Sequence, residues 1–305
     1  MQSIVLYCCT YSKDLARVCR LAQSVARFNR DGIAFYISVP AKDMDLFRSH
    51  LPAGVCQLIA EEDIVKCNPR IDFDKLYQLR GVVQQQIIKS EFWRLGLAKN
   101  YLVLDSDCVF IRNFGRSDFL ADGDVPYSIV HEGRGFLQAT RRFGPKRARK
   151  EYLNDRKPIM DEFGRTGVVY DYGYAPFLWS AQVWKDLDEK FLIPRGWSFL
   201  DAVIAHPSEF TWYGEALMHF RSIPLWPREE LFRHYHHEHQ YWLDRLLGYA
   251  PGVLAEDYMG LVMQSNWQTW EDFGSPEKSA LSRFARSIRR YMRVLRFYTR
   301  LVFRR

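Results

Sequence analysis

No apolar run in this 305-residue chain approaches the ~20 residues that a helix needs to cross a bilayer, so no membrane-spanning segment is expected. The N-terminus, Met1-Gln2-Ser3-Ile4-Val5-Leu6-Tyr7, lacks the basic start and small-residue cleavage site of a signal peptide and reads as a first core strand. The six cysteines (Cys8, Cys9, Cys19, Cys56, Cys67 and Cys108) have no zinc-ligand spacing and mostly sit in apolar stretches. They read as reduced packing residues of a cytosolic protein, not as a disulfide framework. Repeats and low-complexity tracts are absent, and no Gly-, Ser- or Pro-rich linker interrupts the chain before about residue 275. Acidic residues are missing from positions 278–305, which hold ten Lys or Arg. Removing that segment's ten positive charges from the overall +7 leaves −3, so the basicity is a property of the tail alone.

What is present is ample material for a core. With 48% hydrophobic, 15% aromatic and 26% charged residues, general disorder is excluded, and the length suits one large α/β domain or two modest ones. The first half alternates strand and helix patterns. Short apolar runs at 4–9, 34–39 and 55–60 read as strands, and Leu15, Val18, Cys19, Ala22, Val25 and Ala26 recur at helical spacing. Residues 76–98 read as one long helix leading into a strand at 101–104. The alternation predicts a mostly parallel sheet with helices on both faces, whose ligands bind beyond the strands' C-terminal ends. The second half is less regular: 140–157 is strongly basic and reads as an exposed loop or helix, and aromatics crowd 170–242.

Asp105-Ser106-Asp107 stands at the end of that fourth strand, between Tyr101-Leu102-Val103-Leu104 and Cys108-Val109-Phe110-Ile111. The chain has three other Asp-x-Asp triplets (Asp72 and Asp74, Asp122 and Asp124, Asp186 and Asp188), none flanked on both sides by strand-like residues. Strand alternation places carboxylates at i and i+2 on one face, where two hard oxygen ligands suit Mg²⁺ or Mn²⁺. A divalent ion so held neutralises a diphosphate.

These residues, with the Thr10-Tyr11 turn after the first strand and the helix bearing Gln86 and Lys89, resemble GT-A-type nucleotide-sugar glycosyltransferases of the bacterial families that build lipopolysaccharide or surface polysaccharide. Residues 175–179 and 208–215 are similar to the acceptor-side half of such enzymes. The resemblance implies a GT-A-like domain over 1–275, with a donor half at 1–115 and an acceptor half at 116–275. It implies Asp107 as chief metal ligand, Asp105 on the ribose or the metal, and Thr10 and Tyr11 near the nucleobase. Gln86, Lys89 and Ser106 join the donor-binding set. Glu215, in Trp212-Tyr213-Gly214-Glu215, is the expected base if the reaction inverts the anomeric centre. The expected partners are a nucleoside diphosphate sugar and a glycan or lipid-linked acceptor; nucleic acid is not expected.

Two clusters stand apart from that set. His234-Tyr235-His236-His237-Glu238-His239 reads as an exposed polar helix start, with a transition-metal site as the sharper alternative; His219 reads as a satisfied core histidine. In the tail, Ser275-Pro276-Glu277 signals a helix start, and Leu281, Phe284, Ala285, Ile288, Met292, Leu295 and Val302 fall on a face largely opposite the arginines. A basic helix over 276–305 is the pattern of an interfacial helix on an anionic membrane, here the inner face of the cell membrane. The rival readings are a haloacid-dehalogenase-type phosphatase using Asp105 and Asp107, a sugar nucleotidylyltransferase, and a non-catalytic membrane adaptor. The phosphatase lacks its Gly-containing flap after the motif and its downstream Gly-Asp-x-x-x-Asp, and the nucleotidylyltransferase lacks its Gly-rich phosphate loop.

Overall fold

The computed structural model of the chain describes residues 1–140 and 145–264, together with positions 284, 285, 288, 289, 291, 292, 295, 296 and 299. It opens with β1 (Gln2–Cys9), α1 (Leu15–Phe28), β2 (Phe35–Val39), α2 (Met44–His50) and β3 (Gln57–Ala60). Three helices, α3 (Glu61–Lys66), α4 (Phe73–Gln78) and α5 (Gly81–Glu91), then lead to β4 (Ala98–Leu104) and β5 (Cys108–Phe110). The short β6 (Leu120–Ala121) and β7 (Val125–Pro126) precede α6 (Arg134–Thr140), α7 (Pro145–Glu162), β8 (Phe177–Ser180), α8 (Ala181–Leu187), α9 (Phe199–Ala205) and α10 (Glu209–Phe220). Last come β9 (Phe232–Tyr235), α11 (Glu238–Leu246), α12 (Pro251–Leu254) and β10 (Gly260–Met263).

The central sheet has the order β3-β2-β1-β4-β8, parallel except for β8. Alternation along β1 divides the core. Ile4, Leu6 and Cys8 pack with Val18, Leu21, Ala22 and Val25 of α1, while Val5, Tyr7 and Cys9 pack with Ile87 and Ile88 of α5 and Trp212 of α10. Helices therefore cover both faces, which is why β1 reads as an unbroken apolar run. Tyr7 stacks on Phe92 at 3.8 Å and donates to or accepts from Ser38 at 2.8 Å, so its buried hydroxyl is satisfied. The halves expected at 1–115 and 116–275 share backbone pairing, since β8 joins β4 and β10 joins β5.

The helix expected over 76–98 is broken into α4, α5 and a 3₁₀ turn at Phe92–Leu95. Asp72 caps α4 by accepting from the Lys75 amide, Leu79 and Arg80 are extended, and Gly96 closes the last turn at φ 65°. A run of apolar residues at helical spacing conceals such caps. Of the basic stretch, Arg141 and Arg142 lie outside the described residues; the others fall on α7, exposed as expected except for Arg156, which turns inward to Asp171 at 3.1 Å with both side chains buried. His219 is exposed at the end of α10, against Phe163 and Phe220, so the expectation of a core histidine is corrected. All six cysteines are free; Cys8, Cys9 and Cys108 are buried, whereas Cys67 is exposed.

No helix of the described residues is long and apolar enough to cross a membrane. The helix start at 275–277 and most of the basic segment lie outside the described residues. At the described positions the backbone is helical, and Phe284, Ile288, Tyr291, Met292 and Leu295 are exposed.

Candidate active site

In the parallel part of the sheet the chain runs outward from β1 to β2 and β3, then returns to the other side of β1 as β4. The strand order reverses between β1 and β4, and a crevice opens where connections leave the sheet in opposite directions. The register sets Cys8 beside Leu104, so the residues following both strands meet at that crevice. Beyond Leu104 the chain does not continue as strand. Asp105-Ser106-Asp107 form a tight turn closed by the Cys108 amide donating to the Asp105 carbonyl at 3.0 Å. The two carboxylates therefore share a site through a turn, not through strand alternation. The Met263 amide donates to the Asp107 carbonyl at 3.2 Å and ties the turn to β10.

A cavity of about 250 Å³ occupies the crevice and brings together Gln86, Lys89, Asp105, Ser106 and Asp107 of the expected set. The Lys89 ammonium donates to Asp105 Oδ1 at 2.5 Å. The Lys89 side chain is 6% exposed and that of Asp105 34%, so the cation is the desolvated partner. Burial opposes the charge of Lys89, yet Asp105 and then Glu209 outweigh burial and hold it above the usual lysine range. Glu209, in the first turn of α10, is a further carboxylate at the cavity; burial pushes it up to about 6 against the pull of Lys89. Cys9, Asp14, Tyr174 and Gln264 also line the cavity, none of them anticipated.

Thr10 and Tyr11 stand at the same sheet edge but do not line this cavity. The Thr10 amide donates to the Ser38 carbonyl at 2.9 Å with its side chain buried, and Tyr11 is exposed. Glu215 is elsewhere too. It receives both arms of Arg165, each at 2.6 Å, and the Tyr172 hydroxyl at 2.8 Å, and is 1% exposed. Gly214 exists for that arrangement, because a Cβ there would meet the Tyr172 ring at 2.1 Å. Positions 209 and 215 lie about 120° apart around a helix, so only one of them faces the cavity. The sequence signal for Glu209 was Ser208, whose place before an acid and an apolar run marks a helix start.

The other Asp-x-Asp triplets are structural. Asp72 caps α4, Asp122 and Asp124 flank a turn with positive φ at Gly123 and Asp124, and Asp186 and Asp188 pair with Lys190 and with Arg70 and Arg94.

The histidine run is a helix start only at its end: His237 is the N-cap of α11, which begins at Glu238, whereas His234 lies buried on β9. Burial and His236 push the His234 imidazole well below its ordinary value, and burial holds His236 down to about 4. The ring centroids lie 4.2 Å apart at a tilt of 31°, and both approach Tyr174. They line a second cavity of about 830 Å³, which shares Tyr174 with the first. Gln264, in the wall of the smaller cavity, bonds His234 Nε2 at 3.1 Å in the larger.

Asp105 and Asp107 give hard oxygen donors on one wall. Mg²⁺ commonly takes one or two carboxylates and completes its shell with water and substrate phosphates. The donor set fits an ion that arrives with a nucleotide; among the described residues no group of three or more His, Cys, Asp or Glu is placed to hold a metal unaided.

Residues 2–250 match a family of unknown function, DUF6492. No curated protein matches the chain.

Proposed function

The chain belongs to this family of unknown function, and we propose that it is a metal-dependent, GT-A-like glycosyltransferase moving a sugar from a nucleotide-sugar donor to a glycan or lipid-linked acceptor. The observation that carries this reading is the Asp105-Ser106-Asp107 turn at the strand-order reversal, in one cavity with buried Lys89. Transfer breaks the bond between the anomeric carbon and the diphosphate, whose oxygen leaves with the electron pair. The acceptor hydroxyl oxygen forms the new bond to the anomeric carbon and passes its proton to a carboxylate at the cavity, for which Glu209 is the candidate. A Mg²⁺ or Mn²⁺ ion held by Asp105 and Asp107 would offset the charge of the departing diphosphate. Lys89 fixes the Asp105 carboxylate through its hydrogen bond and adds a positive charge to the same wall. Glu209 replaces Glu215 as the carboxylate at the cavity, because Glu215 is fully engaged by Arg165 and Tyr172.

The exposed apolar side chains of Phe284, Ile288, Tyr291, Met292 and Leu295, in a segment rich in arginine, support attachment to an anionic membrane surface. The donor reading is tested by thermal-shift measurements on full-length protein with UDP, GDP, CDP, CMP and TDP, each with and without Mn²⁺. A metal-dependent rise in melting temperature for one nucleoside diphosphate is expected, and Asp107→Ala should abolish it. No response to any nucleotide would contradict the reading.

A further inference from the structure

The larger cavity has a composition of its own. At about 830 Å³ it falls within the range of small-molecule sites and is over three times the volume of its neighbour. Phe136, Tyr170, Tyr174 and Tyr258 present aromatic surface to it, which suits the C–H faces of sugar rings. Its cations are already committed: Arg134 pairs with Glu132 at 3.2 Å and Arg233 with Asp244 at 3.0 Å. His131 bonds Glu230 at 3.1 Å, and burial keeps His236 neutral. That leaves the carboxylates of Glu229 and Asp257, both exposed and in no salt bridge among the described residues, although Glu229 acts through space on His131. The lining therefore holds more carboxylates than cations, with polar side chains suited to hydroxyl groups.

We propose that this cavity binds the saccharide acceptor, and that its unpaired Glu229 and Asp257 restrict it to glycans without acidic groups. The assignment rests on the glycosyltransferase reading, since it gives the large cavity a place beside the donor crevice through Tyr174. Binding itself, however, requires no nucleotide. An acceptor seated against Tyr174 and His234 lies next to Gln264 and the acidic turn, where its hydroxyl meets the donor. A uronate or phosphorylated sugar brought there would meet two further carboxylates, whose repulsion disfavours it against a neutral sugar.

Saturation-transfer NMR on the full-length protein tests this, with maltotriose, chitotriose, mannotriose and trigalacturonate as probes and no nucleotide present. At least one neutral trisaccharide is expected to bind and trigalacturonate is not. Tyr170→Ala should weaken the neutral ligand about tenfold, and Glu229→Lys combined with Asp257→Lys should admit trigalacturonate. These variants should keep the melting temperature and the nucleotide response of the parent. Failure of every neutral probe to bind, equal binding of trigalacturonate, or binding indifferent to these substitutions would overturn the proposal. The two readings fail separately: lost saccharide binding with the nucleotide response intact removes only the acceptor site, whereas saccharide binding without any nucleotide response removes the donor reading.

Discussion

At the scale of single residues, the site is governed by one desolvated cation. Lys89 is buried and its main counter-charge, Asp105, is partly open to solvent, so the two members of the pair are not equivalent. Asp105→Asn strands an ammonium inside the protein and should cost on the order of 3 kcal/mol, softened by the nearby Glu209. Lys89→Met leaves a carboxylate that water still reaches and should cost less. Urea denaturation of the two variants would order them, and the reverse order would refute this account of the pair. Glu209 gives a pH signature. Its folded value of about 6 lies above the ordinary 4.5, so the stability it contributes is full below about 4.5 and is lost as pH rises through about 6. Glu209→Gln should therefore gain melting temperature relative to the parent as pH rises from about 4.5 to 6, with a span on the order of 1–3 kcal/mol. A difference that stays flat over this window would show that the carboxyl is not desolvated.

At the scale of elements, α10 illustrates where sequence reading succeeds and where it stops. Apolar runs identified β1, β2 and β4, because strands buried on both faces are nearly continuous in apolar residues, and also β3, a half-buried edge strand. The strand-flanked acidic pair was likewise legible, together with Gln86 and Lys89 on the preceding helix. The aromatic and glycine run at 212–215 looked like the wall of a sugar site, but it is the packed side of α10, where Gly214 admits Tyr172. Composition cannot say which side of a helix faces a cavity until the partners Arg165 and Tyr172, over forty residues away, are placed. The histidine run misled for a related reason: β9 is short and edged by polar residues, so its pairing with β10 has no local signature. Glu215→Gln should accordingly lower stability on the order of 3 kcal/mol by leaving Arg165 undercompensated. It should leave nucleotide affinity unchanged, as calorimetric titration would show. A loss of affinity with full stability would restore Glu215 to the site.

At the scale of the whole molecule, the charge is divided. The tail carries ten positive charges, while residues 1–277 are at −3. On the proposed membrane attachment, an anionic surface would repel the negative body and draw the basic tail, orienting the chain as well as tethering it. Sedimentation with vesicles containing phosphatidylglycerol should therefore retain the full-length protein at low salt. Replacement of Arg283, Arg286 and Arg290 by Glu should release it, at roughly 1 kcal/mol for each positive charge removed, and more for reversal. Equal retention by neutral phosphatidylcholine vesicles would refute the electrostatic part of this reading.

The crevice between β1 and β4 is the element on which the functional account depends, and turnover tests it most directly. Full-length protein would be incubated with a panel of nucleotide sugars and Mn²⁺, and release of the nucleoside diphosphate followed by chromatography, for the parent and for Asp107→Ala. The account predicts release from one donor, falling by orders of magnitude in a variant that remains folded. No release from any donor, or equal release by the variant, would contradict it.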